Sequence, residues 1–183
     1  IGETGIRAGV IKAASSLNEI TENERKVLQA VAIAQQETDA LISTHTEAGT
    51  MALEQVELLT SAGVAPDRIL IGHLDRNMDW EYHQQVADTG VYFGYDQISK
   101  VKYYPDELRV EFIKRMIEAG HGSQLMLSTD IARRSEFGAY GGTPGHTVFV
   151  QKFVPMLRES GLSTDTIDTL IRDNPKNALS IHA

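Results

Sequence analysis

The segment ALISTHTEAGT, residues 40–50, begins as an apolar run of strand length. It changes character at His45, between two threonines, and passes through Glu47 and Gly49 into a helical pattern. A short apolar run feeding a helix is one βα unit. The histidine at its end has two readings. Alone, such a residue is more often a hydrogen-bonded core side chain than a ligand, so the other strand ends have to be compared with it.

Four more runs have the same form: IRAGVIKAA (6–14), ILIGHLD (69–75), VYFGYD (91–96) and QLMLSTD (124–130). Helical spacing covers 21–38, 50–62, 78–89, 105–119, 146–160 and 164–172. Thr21 with Glu24 has the pattern of a capping box. Gly63, Gly90, Gly120 and Gly161 stand where left-handed C-caps are wanted, Pro105 suits a first helical turn, and Asn174-Pro175 starts a short terminal helix. This alternation predicts an α/β fold whose parallel sheet is covered by helices. The strand ends near Lys12, His45, His73, Asp96 and Asp130 are separated by 33, 28, 23 and 34 residues. A (β/α)8 barrel of ~250 residues averages ~31 per unit. A doubly wound sheet has similar spacing, but no glycine-rich phosphate loop follows any strand. GAYGG (138–142) comes well after a strand and reads as a mobile loop.

The bulk numbers narrow the function. The 183 residues are 42% hydrophobic and 23% charged, with a formal charge of −8, which disfavours nucleic-acid and anionic-membrane surfaces. There are no cysteines, so a metal would need histidine and carboxylate ligands. No apolar stretch reaches the ~18 residues of a membrane span. IGETGIRAG is not a signal peptide, and a cytoplasmic location is expected.

Four strands finish on a residue able to bind metal or move a proton: Lys12, His45, His73 and Asp130. Singly, each has a plainer reading: a satisfied histidine, a helix N-cap for Asp130, a lysine reaching water along its stem. Together, at the same height on successive strands, they indicate one shared site. Two histidines and an aspartate suit Zn, Mn, Co or Fe, and an aspartate beside a metal can take the proton of water.

STHTEAGT, ILIGHLD, GYDQISKVKYYPDELR and LSTDIARRS, with the ending RDNPKNAL, resemble the phosphotriesterase-related branch of the amidohydrolase superfamily over essentially the whole chain. The resemblance implies a (β/α)8 TIM barrel with a binuclear centre of two divalent ions, Zn with Mn or Co as alternatives. Residues 1–183 then form the C-terminal part of that single barrel, strands four to eight. Lys12 matches the lysine that CO2 carboxylates to a carbamate bridging both metals, a change that apolar Val10 and Ile11 would favour. His45 and His73 match ligands of the second metal. Asp130 matches the aspartate that binds the first and accepts the proton of the attacking hydroxide. The family's His-x-His motif has no counterpart; His121, His146 and His182 lie outside any matching position.

Lys100, Lys102, Arg133 and Arg134 fall on loops over this site and favour an anionic substrate group. By resemblance, Lys102 and Arg133 are the substrate-binding choices. The expected function is hydrolysis of a small ester or lactone, most specifically a phosphorylated sugar lactone. The alternatives are a phosphotriesterase or carboxylesterase with the same centre, or a non-catalytic barrel scaffold. No nucleic-acid or membrane partner is expected, and a homodimer is possible. Tyr95, Tyr103 and Tyr104 either line the pocket or pack at its rim. Trp80 reads as packing, and Phe137 and Tyr140 as part of a lid. The threonines beside His45 are expected to support its imidazole.

Overall fold

The computed structural model describes residues 2–181, so His182 lies outside the described residues. Five parallel strands form one sheet in sequential order: β1 (Val10–Ser15), β2 (Leu41–Thr46), β3 (Ile69–Gly72), β4 (Tyr92–Tyr95) and β5 (Leu125–Leu127). Each strand lies beside the next in the chain, as in consecutive βα units of a (β/α)8 barrel. Between them run α1 (Glu22–Thr38), α2 (Ala52–Ser61), α3 (Trp80–Asp88) and α4 (Asp106–Glu118). After β5 come α5 (Val154–Glu159), α6 (Thr164–Asp168) and α7 (Asn174–Leu179).

The local signals act as their chemistry requires. The Thr21 hydroxyl accepts the Glu24 N–H at 3.3 Å, and the Glu24 carboxylate accepts the Thr21 N–H at 2.7 Å, closing the capping box on α1. The strands are shorter than their apolar runs. The helix expected over 146–160 passes through a π-helical stretch, Phe149–Phe153, before α5, and that expected over 164–172 becomes α6 followed by a π-helical stretch, Thr169–Asp173. Trp80 packs as expected, edge-on to Phe112 at 6.0 Å with the Arg115 guanidinium 4.0 Å above its ring. Among the described residues, no helix is long and apolar enough to cross a membrane.

Alternation sorts each strand into two faces. Ile42, Ile71 and Phe93 point into the main core under the helices. On the other face Leu41 and Met126 meet Ala178 of α7, with Leu70 and Tyr92 packed against them. Register places Lys12, Ser43 and Leu70 in one row on that second face, and Ala14, His45 and Gly72 in the next. The candidate site stands at the carboxyl ends of the strands.

Candidate metal centre

The most developed part lies at the ends of β3, β4 and β5. His73 follows Gly72 in a left-handed conformation (φ 62), which turns the chain out of the strand. Asp96 grips it twice: Oδ1 lies 2.6 Å from His73 Nδ1 and Oδ2 accepts the His73 backbone N–H at 3.0 Å. With Nδ1–H donating to that carboxylate, Nε2 keeps its lone pair for a metal. Burial lowers the His73 pKa, but the Asp96 hydrogen bond and charge outweigh it and leave the net shift upward. Glycine makes the close approach possible. A Cβ at Gly94 would stand 3.2 Å from Asp96 Oδ2, and one at Gly72 would meet the Thr44 carbonyl at 2.5 Å.

Gln97, buried beside Asp96, bridges two carboxylates. Its amide nitrogen donates to Asp96 Oδ1 at 2.9 Å and Asp130 Oδ2 at 3.1 Å. Beneath both, the fully buried Asp75 accepts the backbone N–H groups of Asp96 and Gln97, each at 3.1 Å, and Arg109 Nε at 2.7 Å. Burial, then the charge of Asp96, pushes the Asp75 carboxyl up to about 6, against the pull of Arg109 and the N–H donors. Arg109 also donates to the Tyr104 carbonyl at 2.6 Å and Asp106 at 3.1 Å. This ion pair pins the end of β4 from which Asp96 and Gln97 emerge.

His45 stands edge-on to His73, ring centroids 4.6 Å apart. The expected support from its flanking threonines is not what forms. Thr44 and Thr46 point to the opposite face of β2, where their hydroxyls donate to the Leu70 and Gly72 carbonyls of β3 at 3.3 and 2.7 Å. Glu47 does that work, its Oε2 3.1 Å from His45 Nε2 and its Oε1 accepting from Arg76 at 3.1 Å. Arg76 in turn lies 4.1 Å over the Tyr103 ring.

Lys12 is not level with the histidines. Register pairs it with Ser43, two residues or ~7 Å short of His45. Its stem makes up the difference, and Nζ reaches the Thr44 carbonyl at 3.1 Å. Desolvation lowers the Lys12 pKa, while the charges of Asp96 and Asp130 oppose the shift. Val10 shares its face but is 45% exposed, and Ile11 points to the other face, so the apolar cover expected from these two is thin.

Asp130 follows β5 with φ 43. Lys100 donates to its Oδ2 at 2.6 Å and to its main-chain oxygen at 2.7 Å. Burial raises the Asp130 pKa, but hydrogen bonds from Lys100 and Gln97 overcome this and leave it below the usual range. His45, His73, Gln97 and Asp130 line a cavity of about 240 Å³ whose mouth carries Lys102, Tyr103 and Arg133. Arg134 does not join them; it stacks 4.6 Å over Tyr140. Tyr95 lies neither in the pocket nor at its rim. It is buried under β4, its hydroxyl bonded to His83.

The model of the "Phosphotriesterase family" matches residues 1–179. The chain belongs to this family. It is 39% identical to the phosphotriesterase homology protein of Escherichia coli over 96% of this chain and 60% of that protein. It is 37% identical to a phospho-furanose lactonase of Mycoplasmopsis synoviae over 95% of this chain and 51% of the relative. The crystal structure of the E. coli protein, with phosphate in its active site, superposes with a TM-score of 0.94 at 38% identity, covering 98% of this chain and 62% of that one. The chain thus spans about half to three-fifths of the length of these relatives.

In this phosphotriesterase-family chain, residues from the ends of β2, β3, β4 and β5 line one cavity, which Lys12 of β1 does not line, and no three His, Asp or Glu side chains among the described residues are placed to hold one ion. The donor types nevertheless fit a metal: two adjacent imidazoles, one with its free nitrogen fixed by Asp96, a carboxylate in the same cavity, and a lysine whose pKa burial lowers. Sequence reading missed Asp96 and Gln97 as site residues. The signal was there for Asp96, which ends the fourth strand as Asp130 ends the fifth.

Proposed function

We propose that the protein is a metal-dependent hydrolase acting as a lactonase on a phosphorylated sugar lactone. The observation that carries this is the His73 imidazole, fixed by Asp96 with its Nε2 lone pair available, beside His45 and sharing a cavity with Asp130. His45, His73 and Lys12 would hold one divalent ion, and Asp130 with Lys12 would contribute to a second. Lys12 joins as a carbamate: its neutral amine adds to CO2 and releases one proton, so an anion takes the place of an ammonium. When bound, the metal supplies Lewis-acid polarisation of the scissile carbonyl and lowers the pKa of water.

Asp130 Oδ1 accepts none of the described hydrogen bonds and is the oxygen that takes the proton of the attacking water. Lys102 and Arg133 at the cavity mouth pair with the substrate phosphate. Arg76, beside them on Tyr103, adds a third positive charge. These cations favour a lactone bearing an anion over a neutral phosphotriester.

The test is to express the chain with Zn or Mn and bicarbonate, measure bound metal, and compare turnover of a furanose-phosphate lactone with that of paraoxon. Bound metal, preference for the lactone, and loss of roughly 100-fold or more in kcat with D130N support the proposal. Preference for paraoxon supports the phosphotriesterase reading instead. Absence of bound metal removes the hydrolase reading altogether and leaves a binding scaffold.

A further inference from the structure

Asp130 is already held by a cation of the chain's own. The Lys100 side chain is folded onto the site, 15% exposed. Its ammonium is chelated by a single residue, through Asp130 Oδ2 at 2.6 Å and the Asp130 main-chain oxygen at 2.7 Å. The left-handed backbone of Asp130 (φ 43) turns both oxygens toward one point. Gln97 shares Oδ2, but through a neutral amide.

We propose that Lys100 competes with a divalent cation for Asp130 and so sets how tightly the site binds metal. The inference rests on the metal-dependent reading above. An ammonium and a divalent ion at one carboxylate repel each other at close range. A metal taken at Oδ2 displaces Lys100, and one taken at Oδ1 sits beside it. Either way the attraction within the Lys100–Asp130 pair opposes metal binding, and by linkage bound metal weakens the pair by the same factor. Gln97 carries no charge and adds no such repulsion. Lys102, also at this cavity, lies 4.7 Å over the Tyr103 ring. The competition therefore belongs to Lys100.

The experiment titrates the chelator-treated 183-residue chain with Zn2+ against a fluorescent chelating indicator, at fixed bicarbonate. Wild type is compared with K100M, K100R, K102M, D130N and the K100M/D130N double variant. K100M is expected to tighten Zn2+ binding roughly fivefold, by an amount that shrinks as salt is added. K100R, which keeps the charge, and K102M are expected to stay near wild type, and K100M is expected to add nothing once Asp130 is an amide. Equal or weaker binding in K100M overturns the proposal, as does a gain that persists in the D130N background. If wild type and K100M both fail to bind Zn2+, the metal-dependent reading falls and this proposal with it, a result separable from wild-type binding that K100M leaves unchanged.

Discussion

The two sides of the candidate centre are built differently. At the ends of β3, β4 and β5, His73, Asp96, Gln97 and Asp130 are joined by hydrogen bonds of 2.6–3.1 Å and rest on the buried Asp75–Arg109 pair. At β1, Lys12 makes one described hydrogen bond, to a main-chain carbonyl, from an exposed strand face. The first side is set by the fold before any ligand arrives; the second is a reactive group on a flexible stem. Preorganisation is expensive to disturb because polar groups buried together leave one another stranded when one is removed. An exposed lysine has no such dependants. The difference separates residues whose loss harms the fold from those whose loss harms only the site.

The largest expected effect follows from breaking the ion pair under the built side. R109M leaves the Asp75 carboxylate buried without its cation, which should destabilise the protein by about 3–5 kcal/mol. It also removes donors from the Tyr104 carbonyl and Asp106. Urea unfolding at pH 7 gives the measurement. A loss below about 1 kcal/mol would mean that the end of β4 is held by something other than this pair.

A smaller effect tests the same side through pH. His83 on α3 is buried, with Nε2–H donating to the Asn77 and Leu74 carbonyls, so Nδ1 accepts the Tyr95 hydroxyl proton. Burial lowers its pKa to about 4, despite the two carbonyl acceptors. Between that value and the unfolded 6.5 the unfolded chain binds more protons, so stability rises with pH across this window. The contribution is complete above pH 6.5 and is lost as pH falls toward 4, amounting to roughly 3 kcal/mol. Wild type should therefore lose urea resistance between pH 7 and 5 more steeply than H83Q, whose side chain does not titrate. Identical slopes would refute the assignment.

Much of this architecture was legible in the sequence because it is local. The apolar runs, the Thr21–Glu24 box and the C-cap glycines each act within a few residues, and together they give the βα order. His45, His73 and Asp130 were legible because each ends a strand. What stayed hidden depends on register and on contacts across the sheet. Nothing in LSTD says that Asp130 meets Gln97 and Lys100, and nothing in ILIGHLD says that Asp75 pairs with Arg109, 34 residues on. The offset of Lys12 comes from how β1 pairs with β2, a two-residue shift that leaves the alternation of either strand unchanged. The threonines beside His45 were misread because successive side chains on a strand point to opposite faces.

The smallest expected effect is on the open side, and it sharpens the contrast most. K12M keeps the stem and removes the amine. Among the described hydrogen bonds Nζ donates only to the Thr44 carbonyl, and Lys12 itself stands on an exposed face of β1. Stability should change by no more than about 0.5 kcal/mol, while metal uptake in bicarbonate falls sharply, because the proposed carbamate cannot form. Urea unfolding and metal analysis on the same preparation separate the two. A K12M protein as destabilised as R109M would erase the distinction between the sides. One that keeps full metal uptake would show that metal at this site does not depend on the lysine.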